Sequence, residues 1–320
     1  MPTTHQSNPG AGPVTSKTGR LRGNPYLLLA LAALFWSGNH IVGRAIGGQV
    51  PPLGISTMRW LIPAVVIGIL ARAQIKRDWP VIRAHWGIML WLGVTGGALF
   101  TALQYVGLQY TSALNVSVLN SLVPVLIISA AAVIFRERIA PIQLAGIVTS
   151  SVGVLIIVAR GQIETLRLLQ FNWGDIIILG NMMVFAIYAV YLRLLPRVHW
   201  LSFIFVFALI SCVTTLPFFV WETLSGITFK PTLLTVGAVL YVSIFPSVLA
   251  FAAWNRGVEL IGANRAGPFV HLVPIYTAIL ASTLLGEQLA SYHIIGFALI
   301  LAGVWLASVR RPAVDSPALD

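Results

Sequence analysis

Charged residues are scarce in this sequence: 9% of its 320 residues are Asp, Glu, Lys or Arg, whereas 58% are hydrophobic. A soluble domain typically carries about a quarter charged residues, and one core could not hide so much apolar surface. The composition excludes an ordinary soluble protein and predicts a polytopic membrane protein.

Cysteine occurs once, as Cys212 within an apolar run. A single thiol cannot form an intrachain disulfide or supply a cysteine cluster for a metal ion. We therefore interpret Cys212 as a small core hydrophobe. The sequence predicts neither a metal site nor a cofactor.

Acidic residues are rarer than basic ones, at 9 against 20, which gives a formal charge of +11. The basic residues stand singly between apolar runs rather than along one polar face, so they are typical of topology signals and do not predict a nucleic-acid partner. No carboxylate falls near the middle of an apolar run. This argues against a proton relay through a buried Asp or Glu and leaves histidine-mediated coupling or uncoupled facilitation open.

Apolar runs of about twenty residues, the length that crosses a bilayer core, recur ten times. They cover roughly 26–46, 54–73, 86–109, 113–135 and 141–159 in the first half, and 172–194, 200–221, 232–255, 262–285 and 290–308 in the second. The sequence therefore predicts an all-α membrane protein with ten transmembrane helices.

The stretch from Ala102 to Arg160 recurs, without a gap, 150 positions later. Leu122-Val123-Pro124 returns as Leu272-Val273-Pro274, and Glu137 returns as Glu287. Because each copy holds five spans, an odd number, the copies must enter the membrane from opposite sides, as in an inverted-topology repeat. The predicted organisation is a disordered tail over 1–24, a first repeat over 25–160, a connector over 161–171, a second repeat over 172–310 and a tail over 311–320.

The loop charges predict an orientation for this bundle. Fifteen Lys and Arg residues fall in segments on the side of the amino-terminal tail, four fall on the other side, and Arg59 lies inside the second predicted helix. Positive charge is retained in the cytoplasm, so both termini are predicted to be cytoplasmic.

Three sequence patterns resemble the drug/metabolite transporter superfamily, and specifically its ten-helix EamA-type branch. They are Phe35-Trp36-Ser37-Gly38-Asn39 closing on Arg44, Ser56-x-x-Arg59-Trp60, and a Pro, Glu and Gly pattern in both repeats. The resemblance runs from about Asn24 to Arg311 and implies a central cavity. It also implies export of amino acids or other small metabolites from a bacterial cytoplasm, with His40 departing from the apolar residue expected there.

Helical spacing suggests which side chains line such a cavity. Trp36, Asn39 and His40 share one face of the first helix at i, i+3 and i+4, and polar faces recur on later helices. The predicted substrate-binding residues are Trp36, Asn39, His40, Gln104, Tyr105, Asn120, Ser121, Tyr188, Tyr191, Trp254 and His271. The alternatives are interhelical hydrogen bonding for the polar residues, packing for the aromatic ones and neutral, backbone-bonded imidazoles for the histidines.

Two prolines and one arginine lie inside predicted helices, where each is unusual. Pro124 and Pro274 occupy matching positions of the two repeats and are predicted to be a pair of hinges, with tolerated kinks as the alternative. Arg59 is interpreted as snorkelling to the outer interface, rather than attracting an anionic group.

The predicted function is a secondary transporter that exports a small metabolite by alternating access. An amino acid, with aromatic ones among the candidates, fits because Trp and Tyr can stack while Asn, Gln and His can bond its ammonium and carboxylate groups. Cationic drugs or other metabolites are the alternative substrates, and phosphorylated ones are disfavoured because no basic residue is predicted at the midplane. The implied partners are a small-molecule substrate and the lipid bilayer.

An intramembrane enzyme and a receptor are the distant alternatives to a transporter. An intramembrane enzyme could use Ser121 with His271, which occupy matching repeat positions, but the sequence offers no orienting carboxylate. A receptor would not require inverted repeats. Walker, HExxH and Gly-x-Ser-x-Gly motifs do not occur, so an ATP-driven pump or a standard hydrolase has no support.

Overall fold

A computed structural model describes residues 24–136, 139–162, 172–261 and 267–308. Glu137, most of the predicted connector and nearly all of both predicted tails lie outside the described residues. Within the described ranges every regular element is helical, which confirms the predicted all-α class.

Eleven helices follow one another along the described residues. The first half contains α1 (Pro25–Ala45), α2 (Pro52–Leu70), α3 (Arg72–Ala84), α4 (Trp86–Tyr110), α5 (Ala113–Asn120 and Val123–Phe135) and α6 (Pro141–Val158). The second half contains α7 (Trp173–Tyr191), α8 (Trp200–Leu224), α9 (Leu233–Ile244, Phe245–Leu249 and Ala250–Ile261), α10 (Gly267–His271, Leu272–Leu280 and Ala281–Leu285) and α11 (Ser291–Ser308).

Ten of these helices correspond to the ten predicted spans. Seven are long and apolar enough to cross a membrane, the two halves of α5 make an eighth span with a 48° bend, and α10 and α11 contain the shorter apolar segments Phe269–Leu285 and Ser291–Leu306. The additional helix, α3, occupies the charged stretch between the second and third predicted spans. It is amphipathic, since Ile75 and Ile82 are buried while Lys76 and Arg77 are exposed.

Hydrogen bonds between helix ends establish how the helices alternate. Arg44, near the end of α1, donates to the carbonyl oxygens of Leu108 and Gln109 near the end of α4. Glu222, near the end of α8, accepts from the backbone N–H groups of Leu53 and Gly54 at the start of α2. We call this end of the bundle the distal end; α1 begins at the opposite, proximal end.

Glu287 has a different role from the one that its position suggests. A carboxylate at the start of a helix commonly complements that helix's own dipole, and Glu287 lies just before α11. Instead, its two oxygens accept from the N–H groups of Ala113 and Leu114, each at 3.0 Å, in the first turn of α5. These donors have no partner within their helix, so Glu287 satisfies them across the boundary between the repeats.

Glycines bring α6 and α11 into close contact, as their two-turn spacing predicts. A Cβ atom on Gly153 would lie 2.7 Å from the carbonyl oxygen of Gly296, and one on Gly303 would lie 2.5 Å from that of Gly146. The backbones therefore touch at both points, which only glycine permits.

Both repeats contain a π-helical segment at the corresponding place. Gly93–Leu99 interrupts α4, and Phe245–Leu249 interrupts α9. At the 150-residue offset of the repeat, Gly97 corresponds to Ser247. Such segments are rare and frequently occur at functional sites. The surroundings of Gly97 and Ser247 are therefore of interest for function.

Candidate functional site

The first-helix motif joins α1 to α9 and α10. The Ser37 hydroxyl lies 3.0 Å from the carbonyl oxygen of Val273 in α10. Gly38 leaves room for Tyr241 of α9, because a Cβ atom there would lie 2.8 Å from the tyrosine Cζ. Asn39 follows on the next face of the helix and is buried. The motif therefore fixes the position of the Asn39 amide inside the bundle.

Asn39 belongs to a hydrogen-bonded group that we call the polar cluster, made of Asn39, Arg59, Tyr105 and Ser247. Arg59 Nη1 donates to Asn39 Oδ1 at 3.0 Å and to the Tyr105 hydroxyl at 3.1 Å. Arg59 Nε donates to Ser247 Oγ at 2.7 Å. The Tyr105 hydroxyl donates to Asn39 Oδ1 at 2.7 Å. The cluster thus connects α1, α2, α4 and the π-helical segment of α9.

Arg59 is only 4% exposed, so the snorkelling interpretation is wrong. It is the eighth residue of α2, about 10 Å along the helix from its first residue at 1.5 Å per residue. Its guanidinium points into the bundle, where neutral oxygens accept its hydrogen bonds. A basic residue therefore does lie within the membrane-spanning region, contrary to the expectation from sequence.

No carboxylate pairs with Arg59 among the residues that the structure describes. Carboxylates that the structure does describe form hydrogen bonds elsewhere. Asp78 accepts from the His199 N–H, and Asp175 accepts from the Asn115 amide. A charged side chain at the centre of a membrane helix costs about 2.5–3.5 kcal/mol on insertion scales, so such residues are by default candidates for function.

A second group surrounds the Trp60 ring and forms what we call the aromatic cluster, made of Trp60, Phe185, Tyr188 and Phe207. Trp60 packs edge-on against Phe207 with ring centroids 5.1 Å apart, and Phe207 lies 5.9 Å from Tyr188. The Arg59 Cζ atom lies 5.3 Å from the centroid of the Trp60 ring. The aromatic cluster therefore borders the polar cluster and contains one predicted site residue, Tyr188.

His40 and Asn120 form a pair on the other side of Asn39. His40 is buried, and its Nε2 atom lies 3.0 Å from the Asn120 amide nitrogen. Because that nitrogen can only donate, Nε2 accepts and the ring is neutral with its proton on Nδ1. His40 Nδ1 is buried without a protein partner. This pairing brings together two residues that sequence analysis placed on separate helices.

Trp36 and Trp254 also meet, with ring centroids 5.5 Å apart, and Phe251 lies 5.9 Å from Trp36. Trp36 comes from α1 of the first repeat, and Trp254 and Phe251 come from α9 of the second. His271 lies in the short 3₁₀ segment that opens α10, two residues before the carbonyl that Ser37 contacts, and its Nδ1 atom is buried without a partner.

The remaining predicted residues lie outside these groups. Gln104 is buried beside Tyr105 in sequence, but no hydrogen bond joins it to the polar cluster in the described residues. Ser121 is buried at the bend of α5. Tyr191 packs against Trp91 and Phe135, in a separate aromatic contact.

The two predicted hinge prolines share a structural context. Pro124 lies in the first turn of the second half of α5, directly after the 48° bend. Pro274 lies in the first turn of the α-helical part of α10, after a 3₁₀ segment. Proline is tolerated there because first-turn N–H groups have no partner within their own helix. Both prolines therefore mark existing breaks, and a hinge role stays a prediction.

Sequence reasoning missed Arg59 and Ser247 as site residues. Arg59 carried a signal, since a lone arginine within an apolar run must face either an interface or the protein interior. Ser247 carried none, because a serine in a membrane helix commonly bonds its own backbone, and Ser247 Oγ also lies 2.7 Å from the carbonyl oxygen of Val242.

Hydrogen bonds close the distal end of the bundle. Asp175 at the start of α7 is bonded to Thr111 and Asn115, and Asn115 Oδ1 in turn lies 2.9 Å from His293 Nε2 at the start of α11. A cavity of about 580 Å³ lies at the distal end, lined in part by Arg44 and Glu287. Its lining residues do not include any member of the polar cluster.

Comparison with known proteins gives a consistent result along the chain. The profile of the EamA-like transporter family matches residues 24–159 and 172–309, one match in each half. A solved crystal structure aligns with a TM-score of 0.55 at 21% identity, covering 89% of this chain and 96% of the other. At that identity the likeness concerns the fold alone.

Relatives with similar sequences are transporters by name. The uncharacterized transporter YyaM of Bacillus subtilis is 29% identical, over 92% of this chain and 97% of its own length. An uncharacterized transporter of Archaeoglobus fulgidus is 28% identical, over 89% and 98%. A probable terminal-alkyne amino-acid exporter of Streptantibioticus cattleyicolor is 26% identical, over 80% and 84%.

Proposed function

The chain belongs to the EamA-like transporter family, and from this premise we propose that it is a secondary transporter that exports amino acids by alternating access. The observation that carries this proposal is the enclosed set of polar and aromatic side chains between the repeats, centred on Asn39, Arg59 and Tyr105. Inverted repeats allow such a site to face one side of the membrane and then the other.

The residues around the site suit an amphipathic metabolite. Trp36 and Trp254 offer aromatic faces, and the polar cluster offers a cation and several hydrogen-bonding groups. The name of the Streptantibioticus cattleyicolor relative supports an amino-acid substrate. The buried guanidinium of Arg59 disfavours cationic drugs, because like charges in a low-dielectric site repel each other.

The substrate-binding set in this proposal keeps the residues named from sequence and adds Arg59 and Ser247. Pro124 and Pro274 are proposed as the hinges, since each follows a break in its helix. Opening the distal end would require release of the hydrogen bonds that Glu222 and Glu287 make to the starts of α2 and α5.

We further propose that the proximal end faces the cytoplasm across a bacterial inner membrane. The exposed basic residues of α3, Lys76 and Arg77 among them, follow the end of α2 and therefore lie at the proximal end. Cytoplasmic loops of membrane proteins are enriched in such residues. Protease cleavage of the amino-terminal tail in inside-out but not right-side-out vesicles tests this orientation.

Transport by purified protein in proteoliposomes tests the function. Uptake of labelled tryptophan, phenylalanine, threonine and a cationic dye is measured with and without a pH gradient. We expect saturable amino-acid uptake that Trp254→Ala and His271→Ala each reduce, because both side chains belong to the proposed site. Trp305→Ala is the matched control, since Trp305 is 68% exposed on α11.

The outcomes separate the candidate functions. Uptake of the dye alone would replace amino acids by cationic drugs, and equal uptake by empty liposomes for every compound would remove the amino-acid assignment. A response to the pH gradient would identify proton coupling, for which His40 and His271 are the candidates.

A further inference from the structure

We propose that Arg59 binds the carboxylate group of the substrate, so that the transported compounds are small organic carboxylates. This inference rests on the proposed transport function and specifies its substrate class. It starts from a buried guanidinium that no carboxylate neutralises in the part of the chain that the structure describes.

The hydrogen bonds of Arg59 leave one side of the guanidinium available. Nε is held by Ser247, and Nη1 is held by Asn39 and Tyr105. Nη2 makes no hydrogen bond to the described residues. The Nε proton and both Nη1 protons are already donated, so a carboxylate would bind through the two N–H groups of Nη2, and this contact requires a fixed orientation of the planar group. The three neutral acceptors supply that orientation without supplying a negative charge.

The groups next to Arg59 do not neutralise it either. His40, adjacent to Asn39, is neutral because its Nε2 atom accepts from Asn120. Glu222 and Asp175, which are buried carboxylates of the described chain, bond the start of α2 and the α5 residue Asn115 at the distal end. Among the residues that the structure describes, none brings a negative charge to this guanidinium, and a substrate carboxylate would supply one.

The aromatic surroundings specify the rest of the ligand. The Trp60 ring lies beside the guanidinium and continues into the aromatic cluster through Phe207. A carboxylate that carries an apolar or aromatic side group fits both regions. An amine without a carboxylate would meet only repulsion from Arg59.

The competing explanation is that Arg59 only ties helices together. The two explanations differ in what Arg59→Gln does to stability. Removing a buried charge that has no counter-ion relieves its desolvation penalty, so the melting temperature of the ligand-free variant should be equal or higher. A purely structural cross-link would instead lose stability.

Ligand-dependent thermal stabilisation of the purified full-length protein tests the inference. The probes are phenylalanine, 3-phenylpropionate and acetate, which carry a carboxylate, and phenylalaninamide and phenethylamine, which do not. We expect only the carboxylates to raise the melting temperature of the parent protein. Arg59→Gln should weaken that binding by about 10- to 100-fold, as loss of a charged hydrogen bond does.

Two further variants complete the test. Arg59→Lys keeps the charge but not the planar fork, so binding should be intermediate between parent and Arg59→Gln. Arg44→Gln removes an exposed arginine on α1 that bonds backbone carbonyls near the end of α4, and it should leave carboxylate binding unchanged.

Each outcome of the binding test either supports or overturns the inference. Binding of 3-phenylpropionate without binding of phenylalanine would support the inference while contradicting the amino-acid proposal. Stabilisation by the two amines, no stabilisation of the parent by any carboxylate, or unchanged carboxylate binding in Arg59→Gln would overturn the inference.

Discussion

The π-helical segments of α4 and α9 occupy corresponding positions in the repeats but have different neighbours. In α4, Gly97 packs against α8, where a Cβ atom would overlap the Ser211 hydroxyl and lie 2.8 Å from its Cβ. In α9, the corresponding residue Ser247 accepts from Arg59 of α2 at 2.7 Å. One segment makes a close packing contact, and the other holds a buried cation.

This difference shows how a duplicated scaffold acquires a single site. The backbone irregularity is common to both copies, whereas the buried arginine and its serine acceptor lie at the contact between α2 and α9. The corresponding contact between α4 and α8 borders the apolar surroundings of Phe207 and Ile210. Under the proposed function, symmetry would serve the motion, while asymmetry in a few side chains would set the binding chemistry.

A carboxylate placed next to Arg59 should neutralise the buried cation that the α9 segment holds. We expect the largest effect from this change. In Asn39→Asp, the new carboxylate would pair with Arg59 and occupy the position available to a substrate anion. We expect transport of carboxylates to fall by roughly 100-fold, because charge-assisted bonds contribute about 1.5–3 kcal/mol. The measurement is the initial rate of uptake in proteoliposomes.

Asn24→Asp is the matched control for that experiment. Asn24 is exposed and caps the start of α1 with its side chain, which accepts from the Tyr26 N–H at 3.0 Å, and aspartate is an equally good cap. Its transport rate should stay at the parent level. Parent-like transport by Asn39→Asp would contradict the functional asymmetry between the two contacts.

Substitution of Gly97 tests how tightly the α4 segment packs against α8. Gly97→Ala should lower the free energy of unfolding by about 1–3 kcal/mol, because added volume in a tight contact forces neighbours to move. Gly180→Ala is the control, since no atom lies within 4 Å of its Cβ position. Thermal melting in detergent measures both variants.

A second substitution can restore the space. Ser211→Gly removes the atoms that the alanine would contact, so the double variant should recover part of the lost stability. A stable Gly97→Ala single variant would mean that the α4 segment is not tightly packed.

The smallest expected effect comes from trimming the polar cluster. Tyr105→Phe removes the hydroxyl that bonds Asn39 and Arg59, and it should cost about 1 kcal/mol in carboxylate binding, or roughly a fivefold change. Tyr110→Phe, at an exposed tyrosine on the same helix, should change nothing. The ratio of the two dissociation constants is the measurement, and equal values would place Tyr105 outside the site.

Several parts of the site could be predicted from sequence because they follow helical periodicity. Trp36, Asn39 and His40 share a face of one helix, and the structure gives all three partners from other helices. The partners themselves were harder to predict. Tyr105 and Tyr191 have similar sequence signals, yet only Tyr105 reaches the polar cluster, because contact across helices depends on depth and rotation, which periodicity does not specify.

The membrane class, the ten spans and the duplication follow from the amino-acid sequence alone, because these depend on the length of apolar runs and on spacing along the chain. Tertiary packing determines that Arg59 points into the bundle, that Ser247 accepts its hydrogen bond and that Glu287 caps α5 rather than the helix that follows it. Each of those outcomes depends on which helix lies opposite. That choice is made by packing among segments distant in sequence, such as the touching glycines of α6 and α11.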